Sequence, residues 1–194
     1  MENLQRLFIA VELHAELQQW LRKARALLEG RIPSGSVRWT DVNGIHLTLK
    51  FLGAIPERRI GEIRTVMDGL VPSFRPFPLT AAGLGCFPNT ARPRVIWAGI
   101  QGGPILVDLQ KRLEQELERI GFPAERRAFS PHLTLGRVKD GVIGVRLEEI
   151  GRAVEAVSME STAGMEVKDV CLFRSVLQPG GAVYTVLHRA PFTG

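Results

Sequence analysis

The sequence predicts an α+β fold: a bilobal, pseudo-two-fold molecule of duplicated antiparallel-rich sheets, with helices on their outer faces and a central cleft. Three observations lead there. The tetrapeptide His-Leu-Thr-Leu stands twice in the chain, from His46 to Leu49 and from His132 to Leu135. Each copy opens the same succession of periodicities, strand, helix, strand, strand. The chain has 194 residues and is 45% apolar, enough for one sizeable core or for two small lobes that share one.

The elements follow in order. Residues 6–12 alternate Leu7, Ile9 and Val11 against Arg6, Phe8, Ala10 and Glu12, the period of a strand with one buried face. Leu13, Leu17, Trp20, Leu21, Ala24, Leu27 and Leu28 then recur at three and four, with Gly30 placed to end the helix. A loop containing Pro33 and Gly35 leads to a short strand at 37–40. The first copy comprises a strand at 45–52, a helix after Pro56 with Ile60, Ile63, Met67 and Leu70 on one face, and strands near 78–86 and 94–100. The second comprises a strand at 131–138, a helix with Leu147, Ile150, Val154 and Val157 on one face, and strands near 165–173 and 182–189. Between them, Leu106, Leu109, Leu113, Leu117 and Ile120 mark a helix that stops at Gly121. The repeat is too long for a solenoid, so residues 1–194 are expected to form one bilobal domain with repeat units near 45–100 and 131–190.

Composition narrows the class. The apolar stretches are too short to span a bilayer and the start carries no basic leader, which predicts a soluble, cytoplasmic protein. Two cysteines, Cys86 and Cys171, make neither a disulfide framework nor a four-ligand zinc pattern. A net charge of +5 favours anionic partners, nucleic acid being the commonest. The sequence lacks a phosphate-binding G-x-x-x-x-G-K-[ST] loop, a G-x-G-x-x-G turn and a G-x-S-x-G elbow, so nucleoside triphosphates, dinucleotide cofactors and that form of serine catalysis are not indicated.

The repeated tetrapeptide carries the chemistry. In a strand His46 and Thr48 share one face, as do His132 and Thr134, while the leucines between them anchor the other; imidazole and hydroxyl lie about 7 Å apart along the chain. If a pseudo-two-fold axis relates the lobes, the two pairs face one another across the cleft. Such a group suits a tetrahedral phosphate: one neutral imidazole takes a proton from water, an imidazolium opposite protonates the departing oxygen, and two hydroxyls donate to the non-bridging oxygens. Both protonation states are reachable because imidazole titrates near ~6.5. No carboxylate or cysteine lies two positions from either histidine to complete a metal site, so no metal or cofactor is expected. His14 and His188 lack such company and read as surface or packing residues.

Paired H-x-T-x strands in a chain of this size resemble the 2H phosphoesterase superfamily. Within it RLFIAVEL, IHLTLKFLG, GCFPNTARPRVIW, FSPHLTLGRV and LFRSVLQPGGAVY resemble the RNA 2′,3′-cyclic phosphodiesterase group, also called 2′-5′ RNA ligase-like, over essentially the whole chain. The resemblance implies metal-independent hydrolysis of RNA 2′,3′-cyclic phosphodiester ends to 2′-phosphomonoesters, with His46 the proton donor and His132 the proton acceptor. The expected partners are RNAs with 2′,3′-cyclic phosphate ends, tRNA halves among them, with no membrane or protein partner and a monomeric state.

Candidate substrate-binding residues follow from position. Phe8 shares the free face of the first strand and offers a stacking surface. Lys50 falls on the His46 and Thr48 face by alternation, whereas Phe51 falls with the leucines. Arg137 matches a basic position of the family but falls on the leucine face, so a role for it requires a β-bulge. Arg94, with Arg92 in the loop before it, is placed to follow an RNA backbone. Two other readings stand beside hydrolysis: 2′-5′ ligation by the reverse reaction, which an RNA partner with a 5′-hydroxyl would reveal, and an RNA-binding module without turnover.

Overall fold

The computed structural model describes residues 3–159, 161–179 and 181–194. Nine strands and four α-helices run in the order β1 (Leu4–Glu12), α1 (Ala15–Glu29), β2 (Val37–Trp39), β3 (His46–Pro56), α2 (Ile60–Leu70), β4 (Phe77–Phe87), β5 (Val95–Gln101), α3 (Gly103–Arg119), β6 (His132–Val138), α4 (Val145–Ala156), β7 (Ala163–Val167), β8 (Asp169–Gln178) and β9 (Gly181–Pro191). They form two sheets, ordered β3-β1-β8-β9 and β2-β6-β5-β4-β7, and every pairing is antiparallel.

The helices form because their apolar residues recur on one stripe, and they bury that stripe. α1 buries Leu17, Trp20, Leu21, Ala24 and Leu28, and α3 buries Leu106, Leu109, Leu113 and Leu117. These residues join Leu7, Ile9 and Leu47 of the first sheet and Ile96, Leu133 and Leu135 of the second in one continuous core. Among the described residues no helix is long and apolar enough to cross a membrane.

The sheets do not follow the sequence repeat. The strand after α2, β4, leaves the first sheet for the second, and the strand pair after β7 returns to the first. The second sheet therefore holds β4 and β5 from residues 45–100, together with β6 and β7 from residues 131–190. The single strand expected near 165–173 is two strands, β7 and β8, that part at Lys168 and belong to different sheets. The apolar pattern concealed this break because Val167, Val170, Cys171, Leu172 and Phe173 on either side are all buried.

The first sheet also has less of a free face than expected. Behind the main core, Phe8, Ala10, Cys171 and Phe173 form a second small cluster with Tyr184 packed on it. β9 and β3 are opposite edges of that sheet, yet the Tyr184 ring centroid stands 5.0 Å from that of His46. The sheet must curl strongly for its two edges to meet in this way. Gly44 leaves room for the closure, since a Cβ there would lie 3.2 Å from Tyr184 Cε2.

Candidate active site

Both His-Leu-Thr-Leu segments are strands, and each begins with its histidine: β3 at His46 and β6 at His132. Leu47, Leu49, Leu133 and Leu135 are buried, while His46, Thr48, His132 and Thr134 are half-buried. The two strands belong to different sheets, but Cα atoms of β3 and β6 come within 8 Å of one another.

The two imidazoles are fixed in the same way. Nδ1 of His46 donates to the carbonyl of Gly44 at 3.0 Å, and Nδ1 of His132 to that of Ser130 at 2.7 Å. A carbonyl only accepts, so each Nδ1 carries a proton and each neutral ring presents an unprotonated Nε2. One local turn, in which the ring reaches back to the residue two before it, sets the tautomer twice.

Their surroundings differ. His46 stacks on Phe8 with centroids 4.3 Å apart, with Phe173 beyond at 5.8 Å and Tyr184 edge-on. Burial among these rings lowers its pKa from 6.5 to about 4, the Gly44 hydrogen bond offsetting part of the effect. Glu12 stands opposite His46 in the β1–β3 register, but Arg189 holds its carboxylate and also donates to Asp169 at 2.6 Å. Among the described residues His132 has one aromatic neighbour, Phe87, edge-on at 4.8 Å. Trp97 pairs with Thr134, and its indole lies where a Cβ on Gly85 would come within 2.4 Å. Only glycine at 85 lets the ring lie flat there.

A bulge falls at the last leucine of each tetrapeptide. In β3 the pairing steps from Ala10↔Thr48 to Ile9↔Lys50, leaving Leu49 unpaired; in β6 it steps from Trp97↔Thr134 to Ile96↔Gly136, leaving Leu135 unpaired. An extra residue reverses the alternation beyond it. Leu49 and Lys50 are consequently both buried, as are Leu135 and Gly136, and Phe51 and Arg137 turn out.

Two expected substrate contacts are corrected by this geometry. Lys50 does not share the face of His46 and Thr48; it is 5% exposed and donates to Glu114 and to the Pro123 carbonyl, both at 2.6 Å. Phe8 lies on the expected face but is only 2% exposed, covered by His46 and Phe173, so it backs the imidazole and has no surface left for a ligand. Arg137 is exposed on the His132 and Thr134 face, through the bulge its role requires. Arg94 is exposed at the start of β5. His188 bonds Asp68 at 2.6 Å, and His14 precedes α1.

Phe51, Phe173, Tyr184, Phe87 and Trp97 were not singled out from sequence. Strict alternation places Phe51 with the leucines, and the bulge at Leu49 turns it to the other face. Tyr184, the only tyrosine in the chain, comes to His46 by the curl of a whole sheet, which no local pattern encodes.

A family described as LigT-like phosphoesterase matches the chain twice, over residues 11–97 and 101–184. The chain belongs to this family. It is 33% identical over 180 residues to an RNA 2′,3′-cyclic phosphodiesterase of Methanothermobacter thermautotrophicus, covering 93% of this chain and 95% of that one. It is 32% identical over 190 residues to an RNA 2′,3′-cyclic phosphodiesterase of Thermotoga maritima, covering 97% and 96%. Among solved structures, Thermus thermophilus TT0787 superposes with a TM-score of 0.79 at 28% identity, covering 97% of this chain and 98% of that chain. E. coli LigT complexed with 3′-AMP superposes at 0.75 and 28%, covering 98% and 99%. The family boundary between residues 97 and 101 falls inside β5, so this LigT-like chain is duplicated in sequence while its sheets exchange strands.

Proposed function

We propose that this LigT-like protein hydrolyses RNA 2′,3′-cyclic phosphodiester ends to 2′-phosphomonoesters by two-histidine acid–base catalysis without metal. The observation that carries the reading is the doubled imidazole geometry, each Nδ1 tied to a backbone carbonyl and each Nε2 left for chemistry, on strands that approach across the sheets. The names borne by the relatives, RNA 2′,3′-cyclic phosphodiesterases, support the substrate class. Among the described residues no three His, Cys, Asp or Glu side chains cluster as a metal site would require.

In this mechanism His132 Nε2 takes a proton from water as the water oxygen attacks phosphorus. The bond from phosphorus to the 3′ oxygen breaks, and His46 gives that oxygen its proton, leaving phosphate on the 2′ oxygen. Thr48 and Thr134 donate to the non-bridging oxygens, which gain charge in the transition state. His46 is neutral in the ligand-free protein, with a pKa of about 4; an anion within about 4–6 Å favours the charged form. The substrate phosphate thus favours the acid form of His46 on binding. Arg137, exposed on the same face, adds positive charge on the side of the phosphate, and Arg94 precedes the neighbouring strand at the Arg137 end, its carbonyl accepting from the Val138 amide.

Phosphorus NMR of an oligonucleotide 2′,3′-cyclic phosphate, incubated with the protein and EDTA, tests the proposal. The cyclic resonance is expected to give way to that of a 2′-monoester. A persistent cyclic resonance, a 3′-monoester product or turnover abolished by the chelator would each refute it.

A further inference from the structure

The edge of the second sheet carries an arrangement that hydrolysis of the terminal phosphate does not require. Arg38, at the centre of the three-residue strand β2, stands directly opposite Arg137 of β6 in antiparallel register. Both side chains are exposed, and neither has a hydrogen-bond or ion-pair partner among the described residues. Directly opposed like charges destabilise a strand pair. On the other side of Arg137 the register partner is Val95, so no carboxylate on the neighbouring strand balances the two guanidiniums.

The pair is also placed on the catalytic side. Val37 and Val138 form the next register pair and are both buried, which puts Arg38 and Arg137 on the opposite, open face. After the bulge in β6, that face runs from His132 through Thr134 to Arg137 and passes outward across one inter-strand spacing to Arg38. A second anion lying one step beyond the reacting phosphate would satisfy both cations.

We infer that Arg38, together with Arg137, holds the phosphodiester attached to the 5′ oxygen of the terminal nucleotide, and so selects RNA ends over free cyclic nucleosides. The inference rests on the proposed hydrolysis. A 2′,3′-cyclic end has its next backbone phosphate at that position, and a planar guanidinium pair is suited to phosphate oxygens. Arg38 is a specificity residue on this assignment, remote from the bonds that change.

The test compares adenosine 2′,3′-cyclic phosphate with the same compound bearing a 5′-phosphate. For the wild type, kcat/KM is expected to favour the 5′-phosphorylated substrate. In Arg38→Gln that preference falls by about three- to tenfold, through KM more than kcat, and in Arg38→Lys most of it returns. A charged residue on a short edge strand also discourages pairing with other chains. If that were its only role, Arg38→Gln would affect both substrates equally, which would overturn the inference. Should the wild type turn over neither substrate, the hydrolytic reading fails, and binding still decides the site. For a fluorescent oligonucleotide with a 3′-phosphate, the slope of log K against log salt should become shallower by about 0.7 in Arg38→Gln. An unchanged slope overturns the inference independently of activity.

Discussion

β3 and β6 carry the same tetrapeptide, the same hydrogen bond from each histidine to the carbonyl two residues back and the same bulge, yet the residues just past the bulge differ. In β3 the inward residue is Lys50 and the outward one Phe51; in β6 they are Gly136 and Arg137. The difference has a steric cause. β3 is an edge strand, whereas β6 is flanked by β2, whose Val37 and Trp39 occupy the place a side chain at 136 would take. Lys50 has room to run inward to Glu114, whereas at 136 the neighbouring β2 leaves no such room. Both copies keep the hydrogen bond that orients the histidine while the positions next to it differ: His46 stacks on Phe8 and meets Phe173 and Tyr184, and His132 meets Phe87 edge-on.

The comparison breaks most severely at the histidines themselves. Alanine at His46 or at His132 is expected to lower kcat by about 10²- to 10⁴-fold each, measured on a cyclic phosphate. The double variant should lose little more than the worse single one, because the two act as a unit; additive losses would show that they serve separate steps. Their environments sharpen the point. A phosphate bound near His46 raises its pKa from about 4, so the bound state holds more protons and phosphate affinity should rise as pH falls toward 4. Calorimetry in buffers of different ionisation enthalpy reads that proton uptake directly.

Next in size is the buried pair behind β3. The side chains of Lys50 and Glu114 are only 4% and 12% exposed, and Glu114 also accepts from Gln110 and from the Glu125 amide. Lys50→Met strands a carboxylate in the core and should cost about 3–5 kcal/mol in chemical denaturation. A Lys50→Met, Glu114→Leu double variant should recover much of that loss, since removing both partners leaves no unpaired charge.

Which features were legible in the sequence follows from their range. The paired histidines and threonines were readable because the leucines between them must be buried, and strand alternation then decides where the polar partners go. The stripes of α1 and α3 were readable for the same local reason. Lys50 and Phe51 were misassigned because a bulge is a property of two strands: it shows in the pairing of Ile9 with Lys50, not in the order of residues in β3. The parting of β7 from β8 was hidden because burial is continuous across it, and the meeting of Tyr184 with His46 because it depends on the curl of four strands.

His46 also makes stability depend on pH. Its folded pKa of about 4 lies below the unfolded value of 6.5, so between these values the unfolded chain binds a proton that the folded chain refuses. Stability from this source is complete above pH 6.5 and is lost as pH falls toward 4, in total about 3 kcal/mol. His46→Gln should flatten that part of the stability–pH curve in urea titrations, and a slope that survives in this variant would assign it to other groups. Phe8→Leu should act in the same direction but less, by removing the ring stacked on the imidazole.

The smallest expected effect returns to the bulge. A Cβ at Gly136 would lie 2.6 Å from Val37 Cγ1, 3.0 Å from Trp39 Cε3 and 3.3 Å from the Arg38 carbonyl oxygen. Gly136→Ala therefore pushes β2 away from β6 and should cost about 1–3 kcal/mol, in the range of overpacked cores. Because β2 carries Arg38, the same substitution should also weaken discrimination for a 5′-phosphate while sparing turnover of the unphosphorylated nucleoside. If stability falls and discrimination holds, the arginine pair does not depend on the register of β2, and the contrast between the two bulges is one of packing alone.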